Sequence, residues 1–256
     1  MILEFDLGNT NLKWRLRSEC RVDCSGSFPH NGEISYDDLL LPLELVPEYI
    51  HVVSVLATEQ ERFSRWCHDR WGVMPQFAVV TPECEGVRNA YDQVLQMGPD
   101  RWAALIAAYK LVSHDCLVVD SGSACTLDLV LANGRHLGGY IVPGLELMRD
   151  ALFRDTDRVK LSAINYDGGA ALGRSTNQAV SSGLQLMLLG LVSIALDQLI
   201  AEGAKKPVVM LTGGGAKNLM GLLESYLSER HRRHEVGEIM LRSELVFEGL
   251  PFVARS

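Results

Sequence analysis

Residues 2–17 read Ile2-Leu3-Glu4-Phe5-Asp6-Leu7-Gly8-Asn9-Thr10-Asn11-Leu12-Lys13-Trp14-Arg15-Leu16-Arg17. An apolar run stops at Asp6, Gly8 and Asn9 supply the backbone freedom of a tight turn, and Leu12, Trp14 and Leu16 then alternate with Lys13, Arg15 and Arg17. Alternation of period two marks a half-buried strand, so the stretch predicts a β-hairpin with a polar, glycine-containing tip. The pattern returns near mid-chain, where Cys116-Leu117-Val118-Val119 runs into Asp120-Ser121-Gly122-Ser123-Ala124-Cys125-Thr126, followed by alternating Leu127, Leu129 and Leu131. Asn133-Gly134 is a hairpin turn signal, with 136–142 as the returning strand. A strand–turn–strand unit repeated about half a chain apart predicts two related halves, each a mixed sheet with helices, facing each other across a cleft.

Outward from the first hairpin, residues 25–47 are rich in turn formers, 50–55 reads as a buried strand, 59–71 as a helix and 76–80 as a strand. Helix 100–112 is announced by Pro99-Asp100 and carries Trp102, Leu105, Ile106, Tyr109 and Val112 at helical spacing. Helices are also expected over 145–153, 175–199 and 218–227, with a strand at 208–211 running into Thr212-Gly213-Gly214-Gly215. Residues 245–250 fit a strand or a helix start. The halves are drawn as domains 1–114 and 115–256.

With 256 residues, 47% apolar and 22% charged, the chain can bury a core, which excludes disorder, collagen and a disulfide mini-scaffold. Lys and Arg total 24 against 32 Asp and Glu, a net charge of −8, which argues against a nucleic-acid or anionic-membrane surface. Phosphate binding would then be local, through backbone N–H groups, a metal and a few placed cations. The six cysteines (Cys20, Cys24, Cys67, Cys84, Cys116, Cys125) include no C-x-x-C pair and none in register with paired histidines, which disfavours zinc and fits a reduced, cytoplasmic chain. The acidic N-terminus lacks a secretory signal pattern, and the apolar run 186–196 is too short to span a bilayer, so it predicts a buried helix. Neither a G-x-x-x-x-G-K-[ST] element nor a G-x-G-x-x-G turn opening a helix is present.

Three glycine turns at strand ends remain: Asp6-Leu7-Gly8-Asn9-Thr10 with Lys13, Asp120-Ser121-Gly122-Ser123 with Thr126, and Thr212-Gly213-Gly214-Gly215. In this order they resemble the two phosphate motifs and the adenosine motif of the acetate kinase, sugar kinase, Hsp70 and actin superfamily. That resemblance implies an α/β fold of two RNase H-like domains closing over ATP and a metal ion. The stretches between narrow it. Gly86-Val87-Arg88-Asn89-Ala90-Tyr91, Gly98-Pro99-Asp100-Arg101-Trp102, Gly138-Gly139-Tyr140-Ile141-Val142-Pro143-Gly144 and Gly173-Arg174-Ser175-Thr176-Asn177 are similar to type III pantothenate kinases. Ser123 stands where that family usually has Thr and keeps a hydroxyl, Cys125 replaces a small or aliphatic residue, and residues 18–47 match nothing.

The resemblance implies roles, each with a plainer alternative. Asp100 would be the base beside the acceptor hydroxyl of pantothenate, where spacing alone gives an N-cap. Arg101 would fork onto the pantothenate carboxylate, Tyr91 and Gly98 would shape the same pocket, and Thr176 would reach the pantothenate site of a neighbouring subunit in a homodimer. Asp6 would hold Mg²⁺ through water, although an Asx turn would also place an aspartate there. Gly8, Asn9, Thr10, Lys13, Gly122, Ser123 and Thr126 would meet ATP phosphates, and Gly213 and Gly214 would let the backbone approach the nucleotide. Asp120 would hold a monovalent cation, K⁺ or NH₄⁺. The implied reaction is ATP-dependent phosphorylation of pantothenate; a kinase for another small hydroxylated substrate and a catalytically silent accessory protein of the same fold are the alternatives. No nucleic-acid or membrane partner is expected.

Overall fold

In the first strand Leu3, Phe5 and Leu7 leave one side and Glu4 and Asp6 the other. The computed structural model describes residues 1–18, 21–30, 34–39, 41, 46–154 and 171–254, so Cys20 and parts of 25–47 lie outside the described residues. Strands β1 (Ile2–Leu7), β2 (Asn11–Ser18), β3 (Arg21–Pro29), β4 (Tyr49–Ser54) and β5 (Gln76–Phe77) form one sheet in the order β3-β2-β1-β4-β5. The β1-β2-β3 pairs are antiparallel, and β4 and β5 continue parallel to β1. A short hairpin, β6 (Glu83–Cys84) and β7 (Val87–Arg88), turns at Glu85 and Gly86, whose φ angles of 50° and 85° are those of a two-residue primed turn. Then β8 (Cys116–Ser121), β9 (Ala124–Val130), β10 (His136–Pro143), β11 (Val208–Thr212) and β12 (Ile239–Leu241) repeat the first pattern as β10-β9-β8-β11-β12, with the same strand directions. The repeat seen in two hairpins therefore extends to two whole sheets.

The helices are α1 (Gln60–Trp71), α2 (Pro99–Val112), α3 (Leu145–Arg154), α4 (Thr176–Ala201), α5 (Ala216–Glu229) and α6 (Leu245–Val253). The chain divides into two compact units, Met1–Ala107 with Glu244–Ser256, and Ala108–Ser243. A boundary at 114 counts the C-terminal segment with the second half; in the structure that segment is α6, packed on β1 and β4 of the first sheet. Its last residues complete the sheet edge, with Val79 N–H donating to the Val253 carbonyl and Ala78 bridging Ala254, so the strand expected over 76–80 is regular only at Gln76–Phe77.

In the first unit Leu3, Phe5, Leu12, Trp14, Ile50 and Val52 pack with Phe63 and Cys67 of α1. Helix α6 covers the opposite face of β1 and β4 and meets β2 at Arg15, so β2 is buried on that side at Arg15 while Lys13 and Arg17 stay half-buried. Glu4 (0% exposed) and Arg15 (6%) are therefore interior, with Arg15 Nε 2.5 Å from Glu4 Oε2. Arg17 reaches the same carboxylate at 3.5 Å, and the Arg15 guanidinium lies 4.9 Å from the Phe247 ring centre of α6. Removing one partner from such a buried pair costs about 3–5 kcal/mol, because it strands the other charge. Similarly, α2 is buried all round from Arg101 to Ala108 and presents no single apolar stripe.

The second unit packs Leu117, Val119, Leu127, Leu129 and Leu211 against Leu188, Val192 and Leu199 of α4 and Leu219 and Leu223 of α5. By length and composition the 26 residues of α4 could cross a bilayer, more than the run at 186–196 suggested. One face of α4 is instead committed to this core. On its other face Leu186, Met187 and Ile194 are exposed.

Candidate active site

The β1–β2 register sets Asp6 directly across from Lys13 at the strand ends, placing a carboxylate and an ammonium on one face. Between them the turn closes with Gly8 N–H donating to the Asn11 carbonyl at 3.1 Å, and Asn9 and Thr10 are left exposed. A residue that no motif marks also grips this turn. His30, just after β3, places Nε2 2.9 Å from the Gly8 carbonyl oxygen and donates its backbone N–H to the Thr10 carbonyl at 2.9 Å.

The second sheet repeats the arrangement with different chemistry. Asp120 lies across from Thr126 on β9 and beside Thr212 on β11, so a hydroxyl faces the aspartate where the first sheet has a lysine. Gly122 N–H donates to the Ala124 carbonyl at 3.0 Å, and Gly122 and Ser123 are exposed. The third glycine turn leans on this one. A methyl group on Gly213, whose φ is +87°, would overlap Asp120 Oδ1 and lie 2.7 Å from the Ser121 carbonyl carbon; one on Gly215 would lie 2.5 Å from Ser121 Oγ. Gly214 faces open space. Of the three glycines, then, Gly213 and Gly215 make room for Asp120 and Ser121, and Gly214 alone is free of such contact. Cys125 is packed and inert: burial, aided by the Asp120 carboxylate, pushes its thiol up to about 12.

In the first unit the β6–β7 hairpin delivers Asn89, whose backbone N–H donates to the Pro82 carbonyl at 2.9 Å and whose Oδ1 accepts Tyr91 N–H at 2.9 Å. Tyr91 is thereby fixed where its hydroxyl accepts from Arg101 Nη1 at 2.7 Å, with the guanidinium 5.7 Å from the ring centre. Arg101 is 6% exposed, not the surface arginine of the plainer reading. Asp100 sits in the first turn of α2 and its Oδ1 accepts Arg101 N–H at 2.8 Å; a methyl on Gly98 would lie 2.5 Å from that oxygen. Gly98, Asp100, Arg101 and Tyr91 are thus brought together. Thr176 belongs to the second unit, exposed at the first residue of α4, where Ser175 and not Thr176 caps the helix by accepting Gln178 N–H at 3.3 Å.

Comparison with known proteins gives the family. A family model described as type III pantothenate kinase matches residues 2–198. The chain belongs to the type III pantothenate kinase family. A type III pantothenate kinase of Ectopseudomonas mendocina (strain ymp) is 36% identical, over 98% of this chain and 97% of its own length. Two solved structures share the fold: a Campylobacter jejuni protein of the Baf transcriptional-activator family (TM-score 0.56, 21% identity, 97% of this chain and 95% of that one) and the glucose complex of Balamuthia mandrillaris glucokinase (TM-score 0.51, 13% identity, 100% and 93%). The type III kinase chain thus has the sugar-kinase and actin-like fold, with two mixed sheets flanked by helices.

Among the described residues no three His, Cys, Asp or Glu side chains form a metal cage. A single half-buried carboxylate at Asp6 suits a hard divalent ion that takes its other ligands from phosphates and water. Sequence reading missed His30 and the anchoring role of Asn89. Asn89 had a signal, since it lies inside a quoted stretch, whereas His30 is separated from its turn by two whole strands.

Proposed function

We infer that the chain transfers the terminal phosphoryl group of ATP to the primary hydroxyl of pantothenate, the first step toward coenzyme A. The family match through residues 2–198 carries this, in a chain that holds both Asp-x-Gly turns and the Gly98–Arg101 element. Asp100 takes the proton of the attacking hydroxyl. Arg101, anchored by Tyr91 and with room made by Gly98, receives the pantothenate carboxylate through its planar fork. Backbone N–H groups and side chains of Gly8, Asn9, Thr10, Lys13, Gly122, Ser123 and Thr126 hold phosphate oxygens, and Gly213 and Gly214 leave the nucleotide its approach. Asp6 would hold Mg²⁺ through water and Asp120 a K⁺ or NH₄⁺ ion. Bound there, the cations neutralise phosphate charge.

Thr176 completes the pantothenate site of a second copy in a homodimer. The outward apolar face of α4, with the adjacent Leu186 and Met187 and, about two turns on, Ile194, supports a buried partner surface. The five described cysteines all carry free thiols, which fits the cytoplasm. The test is ATP turnover by the purified chain with and without pantothenate, in K⁺ and in Na⁺ buffers. Turnover should require pantothenate and fall when K⁺ is replaced; pantothenate-independent turnover sinks the assignment.

A further inference from the structure

His30 belongs to no motif, yet it holds the turn between β1 and β2. It is 6% exposed and engages the turn at two carbonyls: Nε2 lies 2.9 Å from the Gly8 oxygen, and the His30 backbone N–H donates to the Thr10 carbonyl at 2.9 Å. A carbonyl oxygen can only accept, so Nε2 carries the proton in this contact. Within one trans peptide unit the C=O and the N–H point in opposite directions. Tying the Gly8 carbonyl to His30 therefore turns the Asn9 N–H to the other side of the turn, away from the imidazole. The second bond, from the far end of the turn to the same residue, stops the hairpin tip from rocking about its two strands. Both Asn9 and Thr10 stay exposed while their backbone is held from behind.

We propose that His30 is a positioning residue for ATP, which pre-orients the Asn9 N–H as a phosphate donor. The proposal rests on reading Gly8–Thr10 as a phosphate turn. Donors fixed before binding need no reorganisation when the ligand arrives, so loss of the clamp weakens ATP and leaves pantothenate recognition alone. One neutral hydrogen bond contributes about 0.5–1.5 kcal/mol, which sets the expected effect at about two- to tenfold.

The test is steady-state kinetics of His30→Leu and His30→Gln, with ATP affinity read in parallel by calorimetry. His30→Leu should raise KM and Kd for ATP by about two- to tenfold, with KM for pantothenate within about twofold. His30→Gln, whose amide N–H can reach the Gly8 carbonyl, should recover most of the loss. Unchanged ATP affinity in His30→Leu overturns the proposal, as does an equal rise in both KM values or a glutamine variant no better than leucine. Should the leucine variant fail to fold, His30→Asn, whose shorter amide stops short of Gly8, takes its place with the same expected and overturning results. If the unmutated chain binds ATP without phosphorylating pantothenate, the kinase assignment fails while the calorimetric comparison still decides His30.

Discussion

At the start of α2, Asp100 can cap a helix and can take a proton, and one substitution separates the two. Its Oδ1 accepts Arg101 N–H at 2.8 Å, and an asparagine oxygen can accept that bond as well but cannot act as a base. Asp100→Asn should lower kcat by about 10²–10⁴-fold with the melting temperature and both KM values little changed; near-normal kcat removes the base role. The glycine turn after β11 offers a second contrast. Gly213→Ala forces a methyl onto Asp120 Oδ1 and the Ser121 carbonyl carbon in a left-handed backbone, so urea unfolding should show a loss of about 1–3 kcal/mol. Gly214→Ala meets nothing within 4 Å. It should leave stability within about 0.5 kcal/mol and act, if the nucleotide passes there, on KM for ATP. Both glycines stand in one motif, and only the packing of β11 beside β8 tells them apart.

Among the elements, β1 and β4 place Glu4 beside His51, with Arg17 on β2 reaching the same carboxylate. Burial holds the His51 pKa below its ordinary value, an effect to which Arg17 adds and which Glu4 and a hydrogen bond with Gln76 oppose. The folded state therefore binds a proton at lower pH than the unfolded chain, whose histidine titrates near pH 6.5. As pH falls below about 6.5 the unfolded state takes up a proton that the folded state does not, and stability declines until the folded pKa is passed. The melting temperature should drop between about pH 7.5 and pH 5.5, and less so in His51→Gln; equal slopes in the two proteins remove His51 as the cause. The two hairpins were legible because alternation and turn chemistry act between near neighbours. Strand β3 was not, since its Ser, Gly and Pro residues carry turn propensity and only pairing with β2 makes it extended.

For the whole molecule, one sheet pattern occurs twice and carries different side chains at its two Asp-x-Gly turns, Asp6 opposite Lys13 and Asp120 opposite Thr126. The proposal of a divalent ion at the first and a monovalent cation at the second draws on that asymmetry. The net charge of −8 says nothing of it. Assembly is tested on the outward face of α4. The chain should sediment as a dimer, and Met187→Glu combined with Ile194→Glu, at residues 61% and 56% exposed, should give a monomer with pantothenate turnover reduced at least about tenfold through loss of the partner's Thr176. An unchanged sedimentation coefficient would place the interface elsewhere.

The two Asp-x-Gly hairpins, helices α1 to α5 and the Gly98–Arg101 element were all set by the sequence alone, because each depends on residues a few positions apart. The tertiary structure decided which charges are interior and which residues hold the turns. Glu4 and Arg15 are buried because α6 returns from the end of the chain to cover their face, and His30 meets Gly8 because β3 folds back along β2. Gly213 likewise yields its space to Asp120, more than 90 positions away. Such contacts join residues distant in the chain, and no local pattern encodes them.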